Sequence, residues 1–109
     1  MGDTRRIFVL GSTGSIGTAT LEVVRHLAEI GGPRYEVAGI AAGANGALAA
    51  AQAAAHGIRH VAMSDPKAAA SMPTGVECLA GPDAALELIE RLARNTFERG
   101  HRIGAHALM

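Results

Sequence analysis

Three glycines stand three residues apart in FVLGSTGSIG, residues 8–17, at Gly11, Gly14 and Gly17. Glycine at such spacing lets a backbone or a ligand come close where a Cβ would intervene. Between a strand and a helix, such a turn faces unpaired N–H groups and the positive end of the helix macrodipole, a setting that favours phosphate. Gly11 then serves the tight bend, Gly14 leaves room for a pyrophosphate, and Gly17 lets helix and strand pack closely. The spacing G-x-x-G-x-x-G makes the loop one residue longer than G-x-G-x-x-G. No lysine follows Gly17, so the stretch is not a P-loop.

The elements around the glycines supply that setting. RRIFVL, residues 5–10, is an apolar run bounded by charge and glycine, the pattern of a strand buried on both faces. From Ser15, the residues Ile16, Ala19, Leu21, Val23, Val24 and Leu27 form a broad helical stripe that stops at Gly31 to Pro33. YEVAGIAA is a second strand ending at Gly43. Ala47 to His56 is an alanine-rich helix closed by Gly57. RHVAM is a third strand, followed by a short helix with Ser64 or Asp65 as cap and Pro66 in its first turn. GVECLAG is a fourth strand, and GPDAALELIERLAR a helix with Leu86, Ile89, Leu92 and Ala93 on its inner face.

Strands alternating with helices at these intervals predict βαβ crossovers. The fold class is α/β, a Rossmann-like parallel sheet with flanking helices, amounting to an amino-terminal half of about four strands. An NAD(P)-binding domain is expected over residues 1–94, with an irregular tail over 95–109. Without a further strand, that tail leaves an open sheet edge prone to association, so a homo-oligomer is an expected form.

The end of the second strand bears on the cofactor. An acid roughly 20 residues past the glycines would bind a ribose 2′-hydroxyl and select NAD. VAGIAAGANGALAAAQ has none, which favours NADP, whose 2′-phosphate the amides of Gly43 to Asn45 and the Asn45 side chain can meet.

Composition excludes other classes. Ten Lys and Arg balance ten Asp and Glu, so no whole-chain field draws nucleic acid or an anionic membrane. Hydrophobic residues make up 49% of the 109, but only three are aromatic, so the core is built from Ala, Val, Ile and Leu. Arg5 and Arg6 lead into only Ile7 to Leu10 before Gly11, too short for a signal peptide, and no run approaches the ~20 apolar residues of a membrane span. A cytoplasmic protein is expected. The single Cys78 reads as a small buried thiol. His56 and His60 are four apart, but Gly57 breaks the helix between them, His26 has no ligating partner nearby in sequence, and His101 and His106 fall in the tail expected to be irregular. The histidines therefore read as surface groups. No nucleophile-base arrangement is visible.

LGSTGSIGTATLEVVR, residues 10–25, together with AGAN at 42–45 and HVAMSDP at 60–66, resembles the amino-terminal NADPH-binding domain of the 1-deoxy-D-xylulose 5-phosphate reductoisomerase family. The resemblance covers about residues 5 to 93. It implies an enzyme that rearranges and reduces 1-deoxy-D-xylulose 5-phosphate to 2-C-methyl-D-erythritol 4-phosphate in non-mevalonate isoprenoid synthesis, using NADPH and a divalent metal, manganese or magnesium. By position, Thr13, Gly14, Ser15 and Ile16 are expected at the cofactor's phosphates and Gly43, Ala44 and Asn45 at its 2′-phosphate. Ala44 stands where many members have lysine. The family's metal-binding acids, substrate-phosphate residues and catalytic lid have no counterpart in these residues, so the resemblance implies cofactor binding without catalysis. The competing readings are another G-x-x-G-x-x-G oxidoreductase and a non-catalytic nucleotide-binding module. Ser15, Ile16 and Gly17 with Thr20, Leu21 and Glu22 speak against the first.

Overall fold

The computed structural model describes residues 5–98 and 103–106. Strand β1 (Arg5–Leu10) leads through the glycine turn into helix α1 (Ser15–Glu29), then strand β2 (Tyr35–Ala42) and helix α2 (Gly46–His56). Strand β3 (His60–Met63) follows, then a short 3-10 helix (Pro66–Ser71), strand β4 (Glu77–Ala80), helix α3 (Ala84–Glu98) and strand β5 (Ile103–His106). All strand pairs are parallel, in the order β4-β3-β2-β1-β5.

Strands that alternate their side chains between two faces need cover on both. On one face Ile7, Val9, Ile40, Ala42, Val61 and Met63 pack with Leu21 of α1, Ala49 and Ala53 of α2, and Ala68. On the other, Phe8, Ala38, Ala41 and Ala62 pack with Ala84, Leu88 and Leu92 of α3. In this second layer three alanines and Phe8 of the sheet meet two leucines and an alanine of α3, which lies across it, touching β2, β3, β4 and β5.

Three expectations change. Of the residues expected on the inner face of α3, Leu92 is buried and Ile89 packs against that layer, but Leu86 is exposed and the buried row is Ala84, Leu88 and Leu92, spaced at i, i+4 and i+8. Of the α1 stripe only Leu21 is buried; Ile16 and Val23 are exposed and border an apolar groove of about 540 Å³ with Ala19, Val24 and Tyr35. The third concerns the tail, which is not irregular throughout. No Gly or Pro interrupts the chain between Ala84 and Glu98, and α3 runs through that whole span. Beyond it, Ile103–His106 pairs with β1 through Arg6 to Val9, so the sheet has five strands rather than four, and the β1 edge expected to be open is covered. The four residues Ile-Gly-Ala-His carry too little apolar periodicity to announce a strand; the unpaired ladder of β1 recruits them.

The order fixes where a ligand can sit. From β1 the chain builds outward through β2, β3 and β4, then returns by α3 to β5 on the far side of β1. The carboxyl ends of β1 and β5 therefore flank the topological switch point, where open α/β sheets hold their ligands.

Candidate nucleotide-phosphate site

Each glycine of the turn has a different task. Gly11 has φ +67, the left-handed region that L side chains resist, and its carbonyl accepts from Gly14 N at 3.1 Å, closing a tight turn. At Gly17 a Cβ would overlap the Gly11 carbonyl oxygen and come within 2.7 Å of Ser12 Cα, so only glycine lets α1 start against the loop. Gly14 needs no special backbone: φ is −75, and a Cβ would be in ordinary contact, 3.4 Å from Gly11 O. Its bareness faces outward. The positive φ of this turn is at Gly11.

Gly14 is also the N-cap of α1 and contributes no side-chain bond. The first helical bond runs from Thr18 N to Gly14 O at 2.9 Å, so the amides of Ser15, Ile16 and Gly17 precede any helical acceptor. No acid lies in this first turn to offset the helix dipole. Gly11, Gly14, Ser15 and Ile16 are exposed, Thr13 is half-buried and Gly17 is buried beneath them. The arrangement can hold an anion by backbone donors alone.

Gly43, Ala44 and Asn45 follow β2 at the same sheet edge, all exposed. Asn45 caps α2: its side-chain oxygen accepts from Leu48 N at 3.1 Å, which leaves the amide NH₂ as its donor. Ser12 N donates to Ala41 O at 3.0 Å, so the two loops leave adjoining strands still joined by a ladder bond. The sheet thus brings the two predicted groups to one edge.

Gln52 and Thr18, both missed in the sequence, hold the first loop from behind at Ser12. Ser12 is fully buried, and its carbonyl accepts from Gln52 Nε2 at 2.7 Å and from Thr18 Oγ1 at 3.3 Å. Gln52 on α2 is only 6% exposed. Its signal was a lone polar side chain inside the run AAAQAAA.

The remaining candidates lie elsewhere. Asp65 caps the 3-10 helix, its carboxylate accepting from Lys67 N at 2.9 Å. Cys78 is half-buried rather than enclosed, and burial pushes its thiol pKa up, away from nucleophile character. His60 approaches Glu77, which also pairs with Arg91. Glycine in a left-handed conformation at 57 ends α2 between His56 and His60. His101 lies outside the described residues. Among the described residues no three His, Cys, Asp or Glu side chains converge, so the donor set for a divalent metal is not assembled by them.

The sequence pattern of 1-deoxy-D-xylulose 5-phosphate reductoisomerase matches residues 7–97. The chain belongs to that family. It is 47% identical over 92 residues to the reductoisomerase of Nocardia farcinica, a match covering 84% of this chain and 22% of that protein. To the Mycolicibacterium smegmatis enzyme it is 46% identical over 87 residues, covering 79% of this chain and 20% of the relative. The chain thus spans about a fifth of the length of the relatives it matches. Among solved structures, it is similar to the Zymomonas mobilis reductoisomerase in complex with NADPH, with TM-score 0.64 and 31% identity over 79% of this chain and 23% of that one. Among the described residues no helix is long and apolar enough to cross a membrane.

Proposed function

We propose that this chain is the NADPH-binding domain of a reductoisomerase that converts 1-deoxy-D-xylulose 5-phosphate to 2-C-methyl-D-erythritol 4-phosphate. One observation carries the reading: at the switch point of the sheet, α1 presents amides without acceptors beside a bare Gly14, with no acid in the first turn. That is a diphosphate site in a family whose Zymomonas mobilis member is known in complex with NADPH. Thr13, Gly14, Ser15 and Ile16 hold the diphosphate, Gly11 and Gly17 shape the loop, and Gly43, Ala44 and Asn45 receive the 2′-phosphate.

When bound, NADPH supplies a hydride. The chain's own residues bind and orient it, and they favour NADPH over NADH only by lacking an acid after β2, since Ala44 adds no positive charge. A divalent metal does not fit the described residues, and the substrate's sugar phosphate meets this domain only within a longer polypeptide. The reading includes a cytoplasmic location and no nucleic-acid or membrane partner. It also includes self-association along the short edge strands β4 and β5.

Fluorescence titration of the purified chain tests it. NADPH should bind, and more tightly than NADH by a modest factor. Equal or reversed affinities would remove the NADP assignment, and no binding of either would remove the reading as a whole.

A further inference from the structure

Ser12 is held at both ends of its backbone unit. Its N–H is tied to Ala41 O at the end of β2, and its carbonyl is drawn inward by Gln52 at 2.7 Å and Thr18 at 3.3 Å. The Gln52 bond is the shorter and comes from 40 positions along the chain. No peptide bond among the described residues is cis. In a trans peptide the C=O and the following N–H point in opposite directions. Turning Ser12 O inward therefore turns Thr13 N–H the opposite way, in the turn that leads to the Ser15 and Ile16 amides, which have no helical acceptor.

We propose that Gln52 is a positioning residue for the phosphate loop: by holding the Ser12 carbonyl it fixes the Ser12–Thr13 peptide and presents Thr13 N–H to the diphosphate of the cofactor. The identity of that ligand rests on the NADPH reading above; the hold on the loop does not. The same helix begins at Asn45, so α2 ties together the two loops assigned to the two phosphate groups. An apolar side chain would fill the space at 52 and leave the peptide free to rotate. Thr18 alone, with its longer bond, is the weaker anchor.

The test uses the full chain labelled with nitrogen-15, in the wild type and in Gln52→Met and Gln52→Glu. Gln52→Met keeps the length and removes the donor. Its Thr13 and Gly14 amide resonances should move, and NADPH affinity should fall by about tenfold. Gln52→Glu makes the hold conditional on pH. A protonated carboxyl donates to Ser12 O, whereas the ionised one repels it, with burial raising its pKa above about 4.3.

The Thr13 resonance and NADPH affinity of Gln52→Glu should then change together in one step as pH rises. His56, one turn along α2 and facing Arg25 and Glu22 of α1, titrates in all three proteins, so only a step unique to Gln52→Glu counts. The other charged groups on the elements packed against α2, Glu36, His60 and Lys67, are likewise common to all three. Loop resonances that stay at wild-type positions in both variants, or wild-type NADPH affinity in folded Gln52→Met, overturn the assignment. Should the wild-type chain bind no NADPH, that counts against the cofactor reading, and the Thr13 resonances alone decide the role of Gln52.

Discussion

In the string GSTGSIG the sequence assigns Gly14 to the ligand and Gly17 to close packing, and the surroundings of the two glycines differ accordingly. A methyl at Gly17 would sit inside the Gly11 carbonyl and against Ser12 Cα, with no flexible side chain to give way. Gly17→Ala should therefore destabilise the fold by about 1–3 kcal/mol, the usual cost of overpacking, read from urea unfolding. Gly14→Val puts its side chain outward from an extended backbone and should leave the circular dichroism spectrum unchanged while NADPH binding is lost. A stable Gly17→Ala chain, or a Gly14→Val chain that still binds, would contradict these separate roles. Charge is the second lever at this scale. Ala44 is exposed beside Asn45, so Ala44→Lys adds an ammonium where the 2′-phosphate is assigned. We expect tighter NADPH binding, unchanged NADH binding, and a gain that shrinks as salt rises. Equal gains for both cofactors would move the 2′-phosphate away from Ala44.

Elements were legible where pattern and punctuation agreed. β2 occupies the run YEVAGIAA, and α2 ends at Gly57 as its left-handed cap requires. α3 was placed correctly but with the wrong residue inward. Several registers bury an apolar pair on an amphipathic helix, and the Ala84-Leu88-Leu92 row is selected by the small residues Ala38, Ala41 and Ala62 beneath it, which periodicity within α3 does not reveal. The influence of α1 charges on His56 of α2 was equally hidden, because it depends on the two helices covering the same face of the sheet rather than on neighbours in sequence. There, burial and then the Arg25 guanidinium hold the His56 imidazole below its usual range, with Glu22 acting in the opposite direction. The folded chain takes up this proton less readily than the unfolded chain. Its contribution to stability is thus fully present above the unfolded value of 6.5 and is lost as pH falls through the lower folded value. Urea midpoints should drop below that window in the wild type and drop less in His56→Gln. Parallel pH profiles for the two proteins would show that His56 contributes nothing to acid sensitivity.

For the whole molecule, the sheet order decides what the chain can and cannot do. The β1-turn-α1 unit and the direction of the first four strands were readable, because each connection is local. β5 was not, since its place beside β1 is set by a return across the opposite face through α3. That return creates the switch point, and with it a place for a cofactor. Reduction needs a hydride donor beside a substrate held in register, and a metal-assisted rearrangement needs ligands that converge. Asp65 is committed to a cap and the main chain of Asp83 begins α3, where Glu87 N donates to Asp83 O at 3.0 Å. The described residues assemble no metal donor set, and the chain spans about a fifth of its relatives. The purified chain should therefore bind NADPH yet consume none when given 1-deoxy-D-xylulose 5-phosphate with manganese or magnesium, followed by NADPH absorbance. Metal-dependent turnover that disappears in Gly14→Val, which rules out a contaminating enzyme, would require a substrate site assembled by this chain, for instance between copies associated along β4 or β5.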